Sequence, residues 1–265
     1  MPNARKTPAM VDPELGPLTD DRLTRDFRVW QRVGGHRFSA DDMVTAKVAV
    51  EARPTARTIC DLGCGLGSVL LQLAWSLPEA RLVGVEAQAI SYALLTRNVD
   101  RNAVSARVAV HHGDLRDEAM LATLESAGPF DLITGTPPYF PPSTALDAED
   151  EQRAYARIEY RGGVEAYLAA AARLMGEDGV FVLCGDHEAE PRVMDAARKV
   201  RLRAIRRLEV IPRERQPTLF SVWTLVRDDD PKVDKGVITS TMTLRDRAGA
   251  QTSDALALKA FSGFT

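Results

Sequence analysis

Cysteine, histidine and long apolar runs are all scarce in this chain of 265 residues. Its three cysteines are an odd set, so we expect reduced, packed thiols in a cytoplasmic protein rather than a disulfide framework. The four histidines show no metal-ligand spacing with the cysteines, and we predict no metal site. No apolar stretch is long enough for a transmembrane helix, and residues 1–17 lack the apolar segment of a secretory signal.

Strong charge imbalance is also missing. The net charge is −3, with 27% charged and 45% hydrophobic residues, which is ordinary for a globular chain and gives no overall attraction to nucleic acid. A chain of this length can bury one substantial α/β core with small additions at either end. We predict a flexible tail over residues 1–20, a main domain with a small N-terminal hairpin over 21–227, and a C-terminal extension over 228–265.

Strand and helix patterns alternate through the main domain, which is typical of a largely parallel sheet with helices on both faces. The predicted core strands lie near residues 57–61, 81–86, 107–111, 130–134 and 179–184. The predicted helices lie near residues 66–76, 88–101, 117–126, 163–175 and 190–199, with an earlier one opening after Ser39.

The two ends of the chain follow different patterns. Residues 27–32 alternate before a Gly-Gly pair, which predicts the small N-terminal hairpin. Two neighbouring strands, about 204–211 and 218–227, predict an antiparallel hairpin at the edge of the sheet. One further strand near 237–244 and a last helix at 253–261 complete the prediction.

A glycine-rich turn follows the first core strand. Gly63, Gly65 and Gly67 alternate there, which lets the backbone bend tightly and lets a ligand approach closely. A dinucleotide-binding loop would need glycine or alanine where this chain has Ser68. Asp61, just before the loop, suits a cationic, amine-bearing ligand better than a pyrophosphate. The turn therefore predicts a ligand site of another kind.

Two more carboxylates follow the next two strands. Glu86 ends the second strand, where it can accept hydrogen bonds from both hydroxyls of a ribose. Asp114 follows the third strand, where a carboxylate can accept from the exocyclic amine of an adenine ring. One such residue is commonly a solvated strand end. Three at successive strand ends beside a glycine loop favour a nucleoside site over an ordinary turn.

At these residues the chain resembles the class I S-adenosylmethionine-dependent methyltransferases. The resemblance implies that Asp61 and the three loop glycines hold the methionine end of S-adenosylmethionine, that Glu86 holds the ribose, and that Asp114 holds the adenine. The implied fold is α/β: a Rossmann-like, seven-stranded, mostly parallel sheet with helices on both faces and an antiparallel edge hairpin.

A second motif follows the fourth strand, where residues 136–140 read Thr-Pro-Pro-Tyr-Phe. The carboxyl edge of an open α/β sheet is where ligands bind. The two prolines stiffen the backbone and remove two N–H donors, which leaves carbonyl oxygens as acceptors for an amine. The aromatic side chains offer a face on which a planar base stacks. The alternative is a proline-rich loop with buried aromatic side chains.

This loop resembles the Asn-Pro-Pro-Tyr/Phe motif of methyltransferases that act on planar amines or amides. Residues 36–42 are also similar to the bacterial tRNA adenine-N6 methyltransferases that modify a valine tRNA, and we expect that similarity to span residues 25–227. It implies that Phe38 lines the cofactor pocket. It also implies that Pro137 presents a carbonyl to the target amine and that Tyr139 stacks on the base.

Thr136 departs from the motif, which has asparagine at this position; we assign it to both the catalytic and the cofactor-binding residues. The asparagine carbonyl oxygen accepts from the amine, whereas a threonine hydroxyl is shorter and must also donate elsewhere. Losing one well-aimed acceptor in such a site costs about 3 kcal/mol. The substitution is compatible with two alternatives: the substrate is a different, better nucleophile, or the pocket has a different shape.

Arginines cluster in two places. The stretch 198–215 holds eight basic residues and two glutamates. It is equally well explained as a phosphate-binding patch or as a solvated helix end followed by an edge strand. Arg153, Arg157 and Arg161 recur every four residues, which predicts one helix face. That face is either a basic lid over the substrate pocket or an exposed surface whose arginines pair with the acidic residues at 149–151.

The sequence therefore predicts an S-adenosylmethionine-dependent N-methyltransferase that works by direct in-line displacement, without a metal or a covalent intermediate. RNA adenine, in tRNA, is the leading substrate. The alternatives are a small-molecule amine or a protein side-chain amide, and a catalytically weak cofactor-binding RNA module. The oligomeric state is left open, and no membrane partner is expected.

Overall fold

Eleven strands form two sheets in the part of the chain that the structure, a computed structural model, describes, which is residues 8–140 and 150–265. In chain order they are β1 (Met10–Asp12), β2 (Gly16–Arg22), β3 (Arg28–Arg32), β4 (Thr58–Leu62), β5 (Arg81–Glu86), β6 (Val108–His112), β7 (Phe130–Gly135), β8 (Met175–Gly185), β9 (Leu202–Ile211), β10 (Phe220–Arg227) and β11 (Ile238–Thr243).

The helices accompany the larger sheet. They are α1 (Ala40–Ala52), α2 (Ser68–Ser76), α3 (Ala89–Arg101), α4 (Glu118–Ala127), α5 (Glu151–Arg157), α6 (Val164–Leu174), α7 (Glu190–Lys199) and α8 (Ser253–Phe261). Two apolar clusters form the core, one on each face of the sheet. The first packs α1, α2 and α3, through residues such as Leu70 and Leu94. The second packs α4, α6 and α7, through residues such as Leu168 and Val193. The predicted α/β fold, with helices on both faces, is confirmed.

The larger sheet has the strand order β11-β9-β10-β8-β7-β4-β5-β6. Strands β8, β7, β4, β5 and β6 pair in parallel, and β10 runs antiparallel between β8 and β9. The central strands are buried almost continuously, as expected when helices cover both faces. The chain order reverses between β4 and β7, so a crevice opens there at the carboxyl ends of the strands.

The sheet has eight strands rather than the seven predicted. The additional strand is β11, from the C-terminal extension, which pairs in parallel with β9. The sequence of an edge strand does not show whether the strand joins the main sheet or stays separate from it. The extension then continues into α8, which contacts α1.

The N-terminal region also differs from its prediction. Residues 10–12 and 16–20, expected in a flexible tail, lie in β1 and β2, and β2 pairs with β3. Leu18 is 1% exposed and belongs to the first apolar cluster. The Gly34-Gly35 pair is therefore not the hairpin turn, because the partner of β3 precedes it in the chain. Charged side chains at 20–22 obscured the strand pattern.

Candidate active site

A cleft of about 860 Å³ opens at the carboxyl ends of β4, β5, β6 and β7. The predicted residues Gly63, Gly65, Glu86, Asp114 and Thr136 all line it. They are brought together because each follows or ends a neighbouring strand of the sheet. These five residues therefore meet at one crevice, and Asp61 and Gly67 lie beside them in the chain.

Asp61 is the most buried carboxylate at this crevice, with 1% of its surface exposed. Its Oδ1 accepts a hydrogen bond of 2.7 Å from the Thr134 hydroxyl. Its Oδ2 is buried without a hydrogen-bond partner among the residues that the structure describes. Burial raises the pKa of Asp61 to about 7, against the hydrogen bond from Thr134 and the nearby Leu70 amide. An unpaired buried acceptor is costly, and it suits an amine-bearing ligand.

Glu86 closes the next part of the cleft. Its Oε2 accepts from the Gly65 amide at 2.8 Å, and its Oε1 accepts from the Gln88 amide at 2.7 Å. Burial raises the pKa of Glu86, and these two amides oppose that rise. Each carboxylate oxygen has a second acceptor position, so the side chain is fixed in orientation and can still accept hydrogen bonds from a diol.

The three glycines of the turn occupy different structural environments. Gly63 has a φ of +62°, and a Cβ added there would lie 2.0 Å from the Tyr167 hydroxyl oxygen. Gly65 has a φ of +56° and open space where its side chain would project. Gly67 caps α2 and packs against Leu95, so it supports the loop rather than lining the cleft. The sequence analysis missed Tyr167, which enters the cleft from α6.

Asp114 lies at the predicted place but is already paired. Both of its oxygens accept from the Arg116 guanidinium, at 2.9 and 2.7 Å, and Oδ1 also accepts from the Arg116 amide. The Arg116 hydrogen bond holds the pKa of Asp114 below its ordinary value. An adenine amine bound here would share this carboxylate with Arg116.

A second, larger cleft of about 2290 Å³ adjoins the first. Phe38, Pro137 and Tyr139 line it, so Phe38 lies on the side of the motif loop. Four residues line both clefts and so form the wall between them: His36, Asp42, Thr136 and Ala156.

Tyr139 is anchored from inside the protein. Its hydroxyl lies 3.1 Å from the Cys184 sulfur and 3.3 Å from a carboxylate oxygen of Asp41. Burial of the hydroxyl raises the pKa of Tyr139 well above its ordinary value, so the phenol stays neutral. The ring is held by these contacts at the edge of the second cleft.

Asp42 is a site residue that was not predicted from the sequence. It accepts from the Ser39 amide at 2.9 Å, as the predicted start of α1 requires, and its carboxylate also forms the wall between the clefts. Burial raises the pKa of Asp42 to about 8, and the neighbouring Asp41 carboxylate adds to the rise. Position on the wall, which only the fold reveals, distinguishes Asp42 from an ordinary capping residue.

The three arginines predicted to share a helix face do not do so. Helix α5 ends at Arg157, and Arg161 lies beyond it in the first cleft, with its guanidinium 4.8 Å from the centre of the Tyr155 ring. Arg153 and Arg157 line the second cleft. Asp150, one expected acidic partner, pairs with Arg32 instead at 2.9 Å. Residues 141–149, which include another expected partner, lie outside the described residues.

No group of three metal-binding side chains occurs within residues 8–140 and 150–265. Over the same ranges, no helix has the length and apolar character needed to cross a membrane. The three cysteines are free thiols, and all are buried.

Comparison with known proteins agrees with this geometry. Residues 38–149 match the family model of the methyltransferase small domain. The tRNA1(Val) (adenine(37)-N6)-methyltransferase of Porphyromonas gingivalis is 29% identical over 191 residues, which are 71% of this chain and 72% of that protein. The enzyme of the same name from Yersinia pestis is 35% identical over 136 residues, about half of either chain (50% and 52%).

Solved structures agree on the fold. A predicted O-methyltransferase from Agrobacterium tumefaciens superposes with a TM-score of 0.62 at 18% identity, over 85% of this chain and 98% of that one. The strand order and the crevice fit the match of residues 38–149 to the methyltransferase small domain. The chain is similar to the bacterial tRNA1(Val) adenine-N6 enzymes, and this similarity supports an S-adenosylmethionine-dependent methyltransferase.

Proposed function

We propose that this protein transfers a methyl group from S-adenosylmethionine to the exocyclic N6 amine of an adenine in tRNA. The observation that carries the proposal is the position of the Thr136-Pro137-Pro138-Tyr139 loop. Thr136 lines both clefts, so it lies where a cofactor in the first would meet an acceptor in the second. The names of the similar proteins favour adenine in tRNA over a small amine or a protein amide.

The first cleft fits the cofactor in the chemistry of its donors and acceptors. The unpaired Asp61 Oδ2 suits the cationic amino group of the methionine end. Glu86 suits the ribose diol, because two backbone amides fix its orientation. Asp114 suits the adenine amine, together with Arg116. When bound, S-adenosylmethionine supplies a methyl group already activated on a sulfonium.

The protein then has to position the amine and accept its hydrogen bonds. The carbonyl of Pro137 and the hydroxyl of Thr136 are the proposed acceptors, since the prolines add no competing N–H donors. Phe38 and Tyr139 provide aromatic surface in the second cleft for a planar base. Positioning supplies most of the acceleration of such a displacement.

Cofactor titration tests the first half of the proposal. Asp61→Ala and Glu86→Ala are each expected to weaken S-adenosylmethionine binding by about 1.5–3 kcal/mol, or roughly 10- to 150-fold, because each removes an acceptor for ligand donors. Asp178→Ala is the control, because Asp178 is exposed near the opposite edge of the sheet. Unchanged calorimetric titrations for both cleft variants would refute the assigned cofactor residues.

Variants of the motif loop test the second half. Thr136→Asn restores the planar acceptor of the related motif, so turnover on tRNA is expected to rise or stay intact. Tyr139→Ala is expected to lose most activity, because stacking on a base contributes about 1–3 kcal/mol. Tyr139→Phe keeps the ring and removes only the hydroxyl contacts to Asp41 and Cys184. Impaired turnover in Thr136→Asn, with full activity in Tyr139→Ala, would show a pocket built for a different acceptor.

A further inference from the structure

Two loops of the C-terminal half lie at the same edge of the sheet as the candidate active site. Strand β9 runs parallel to β8 and β7, because β10 is antiparallel to both β8 and β9. The loop after β9 (residues 212–219) therefore leaves from the edge at which Thr136 follows β7. Strand β11 is parallel to β9, so the loop after it (residues 244–252) leaves from this edge as well.

Backbone hydrogen bonds join these two loops into one surface. The Leu244 amide donates to the Ile211 carbonyl, and the Glu214 amide donates to the Arg245 carbonyl, both at 2.9 Å. Within the second loop, the Asp246 amide donates to the Ala250 carbonyl at 3.0 Å. The extension thus adds a second loop beside the first, at a fixed position relative to it.

The joined loops carry four exposed arginines, which we name the arginine rim: Arg213, Arg215, Arg245 and Arg247. Two acidic residues, Glu214 and Asp246, accompany them. Arg247 pairs with Glu214 at 3.4 Å, whereas Asp246 accepts from the Ala250 amide and stabilises the loop. The rim therefore has an excess of positive charge on a chain whose net charge is −3.

Four other arginines of the arginine-rich stretch form ion pairs within the fold. Arg198 pairs with Asp195 and Arg201 with Asp228, at the opposite edge of the sheet. Further along β9, Arg206 pairs with Glu51. Arg207 pairs with Glu190 and Glu209. The two explanations of this stretch therefore apply to different parts of it. Its first part is structural, and its last two arginines join the extension.

We propose that the arginine rim binds the phosphate backbone of the RNA substrate. This inference rests on the proposed function, because it assigns the RNA-contacting surface of the same site. Three strand spacings separate β7 from β9, or about 14 Å at roughly 4.8 Å each. A stacked strand covers that distance in about four nucleotides at 3.4 Å each. The rim thus lies within reach of the backbone that flanks a base placed in the second cleft.

Charge reversal of Arg215 and Arg247 tests the rim, since neither guanidinium is hydrogen-bonded to the backbone among the described residues. The matched control is Arg198→Glu/Arg201→Glu. In both pairs one residue has a positive φ (Arg215 at 67°, Arg201 at 59°), and the other is an exposed arginine with one acidic partner. The neutral variant Arg215→Gln/Arg247→Gln separates lost attraction from new repulsion.

The direct measurement is fluorescence anisotropy of an unmodified tRNA transcript, titrated with each variant from about 50 to 200 mM salt. Arg215→Glu/Arg247→Glu is expected to weaken binding about tenfold or more, and to make the slope of log K against log salt shallower by about 1.4–1.8. S-adenosylmethionine affinity and the unfolding midpoint are expected to stay unchanged. The opposite-edge control is expected to keep the tRNA affinity and the salt slope of the unmodified protein.

Equal tRNA affinity and equal salt slope in the rim variant would overturn the proposal, as would an equal loss in the control. These results differ from a failure of the proposed function. That failure is the absence of methyl transfer from the unmodified protein to tRNA, whereas the rim is tested by binding alone. If the unmodified protein does not bind tRNA, both proposals fail.

Discussion

Replacing Asp61 by asparagine is expected to stabilise the protein while weakening its cofactor affinity. The carboxylate is buried, and its Oδ2 has no hydrogen-bond partner among the described residues. A charge held in this way is unfavourable for folding. Asparagine has the same shape without the charge, and it keeps an oxygen that can accept from Thr134.

The magnitude follows from the pKa. Burial raises the pKa of Asp61 from 3.8 to about 7, so between these values the folded protein retains a proton that the unfolded chain releases. The contribution of this residue to the free energy of unfolding therefore falls as pH rises from about 4 to 7. The whole shift corresponds to about 4 kcal/mol, of which about 2–3 kcal/mol is lost between pH 5 and pH 8. The asparagine side chain gains an N–H group in place of Oδ2. If this N–H is unpaired, it offsets about 1–3 kcal/mol of the stabilisation that comes from removing the charge.

Urea unfolding at pH 5 and pH 8 measures this effect directly. The difference in unfolding free energy between Asp61→Asn and the unmodified protein is expected to grow by about 2–3 kcal/mol in favour of the variant at the higher pH. Asp114→Asn is the control without a pH effect in this range, because Arg116 holds the pKa of Asp114 below its ordinary value and the carboxyl is ionised in both the folded and unfolded states at pH 5 and pH 8. A difference for Asp61→Asn that does not change with pH would refute the reasoning.

Three further substitutions test other parts of the fold. Gly63→Ala is expected to cost about 1–3 kcal/mol and to abolish cofactor binding in calorimetry, because of its positive φ and the contact with Tyr167. Leu18→Ala is expected to cost about 2–5 kcal/mol in urea unfolding, because Leu18 is in the core; a loss near zero would mean that this segment is a tail. Arg207→Glu is expected to cost about 3–5 kcal/mol, because the arginine is largely buried beside Glu190, and full stability would contradict that pairing.

The elements with strong periodic patterns could be predicted from the sequence. The last helix has the predicted bounds, Ser253–Phe261, and the glycine turn, its flanking strand and its helix lie where the apolar pattern placed them. Carboxylates at strand ends meet in one cleft because parallel strands bring their carboxyl ends to one edge. That part of the site follows from the alternation of strand and helix alone.

Other parts of the site depend on contacts between distant segments. Nothing in the sequence marks Tyr167 as a cleft residue, since it arrives from α6 through helix packing. The pairing of Asp114 with Arg116 depends on local loop geometry. The arginine rim depends on the register of β11 against β9, which joins residues some thirty positions apart.

Methyl transfer to RNA tests the central claim most directly. The purified protein is incubated with S-adenosylmethionine carrying an isotope-labelled methyl group and with unmodified tRNA, and the digested nucleosides are separated by mass spectrometry. We expect labelled N6-methyladenosine in the tRNA, reduced at least tenfold in the Tyr139→Ala variant. Labelled methyl groups on another nucleoside, or S-adenosylhomocysteine formed without any labelled adenosine, would contradict it.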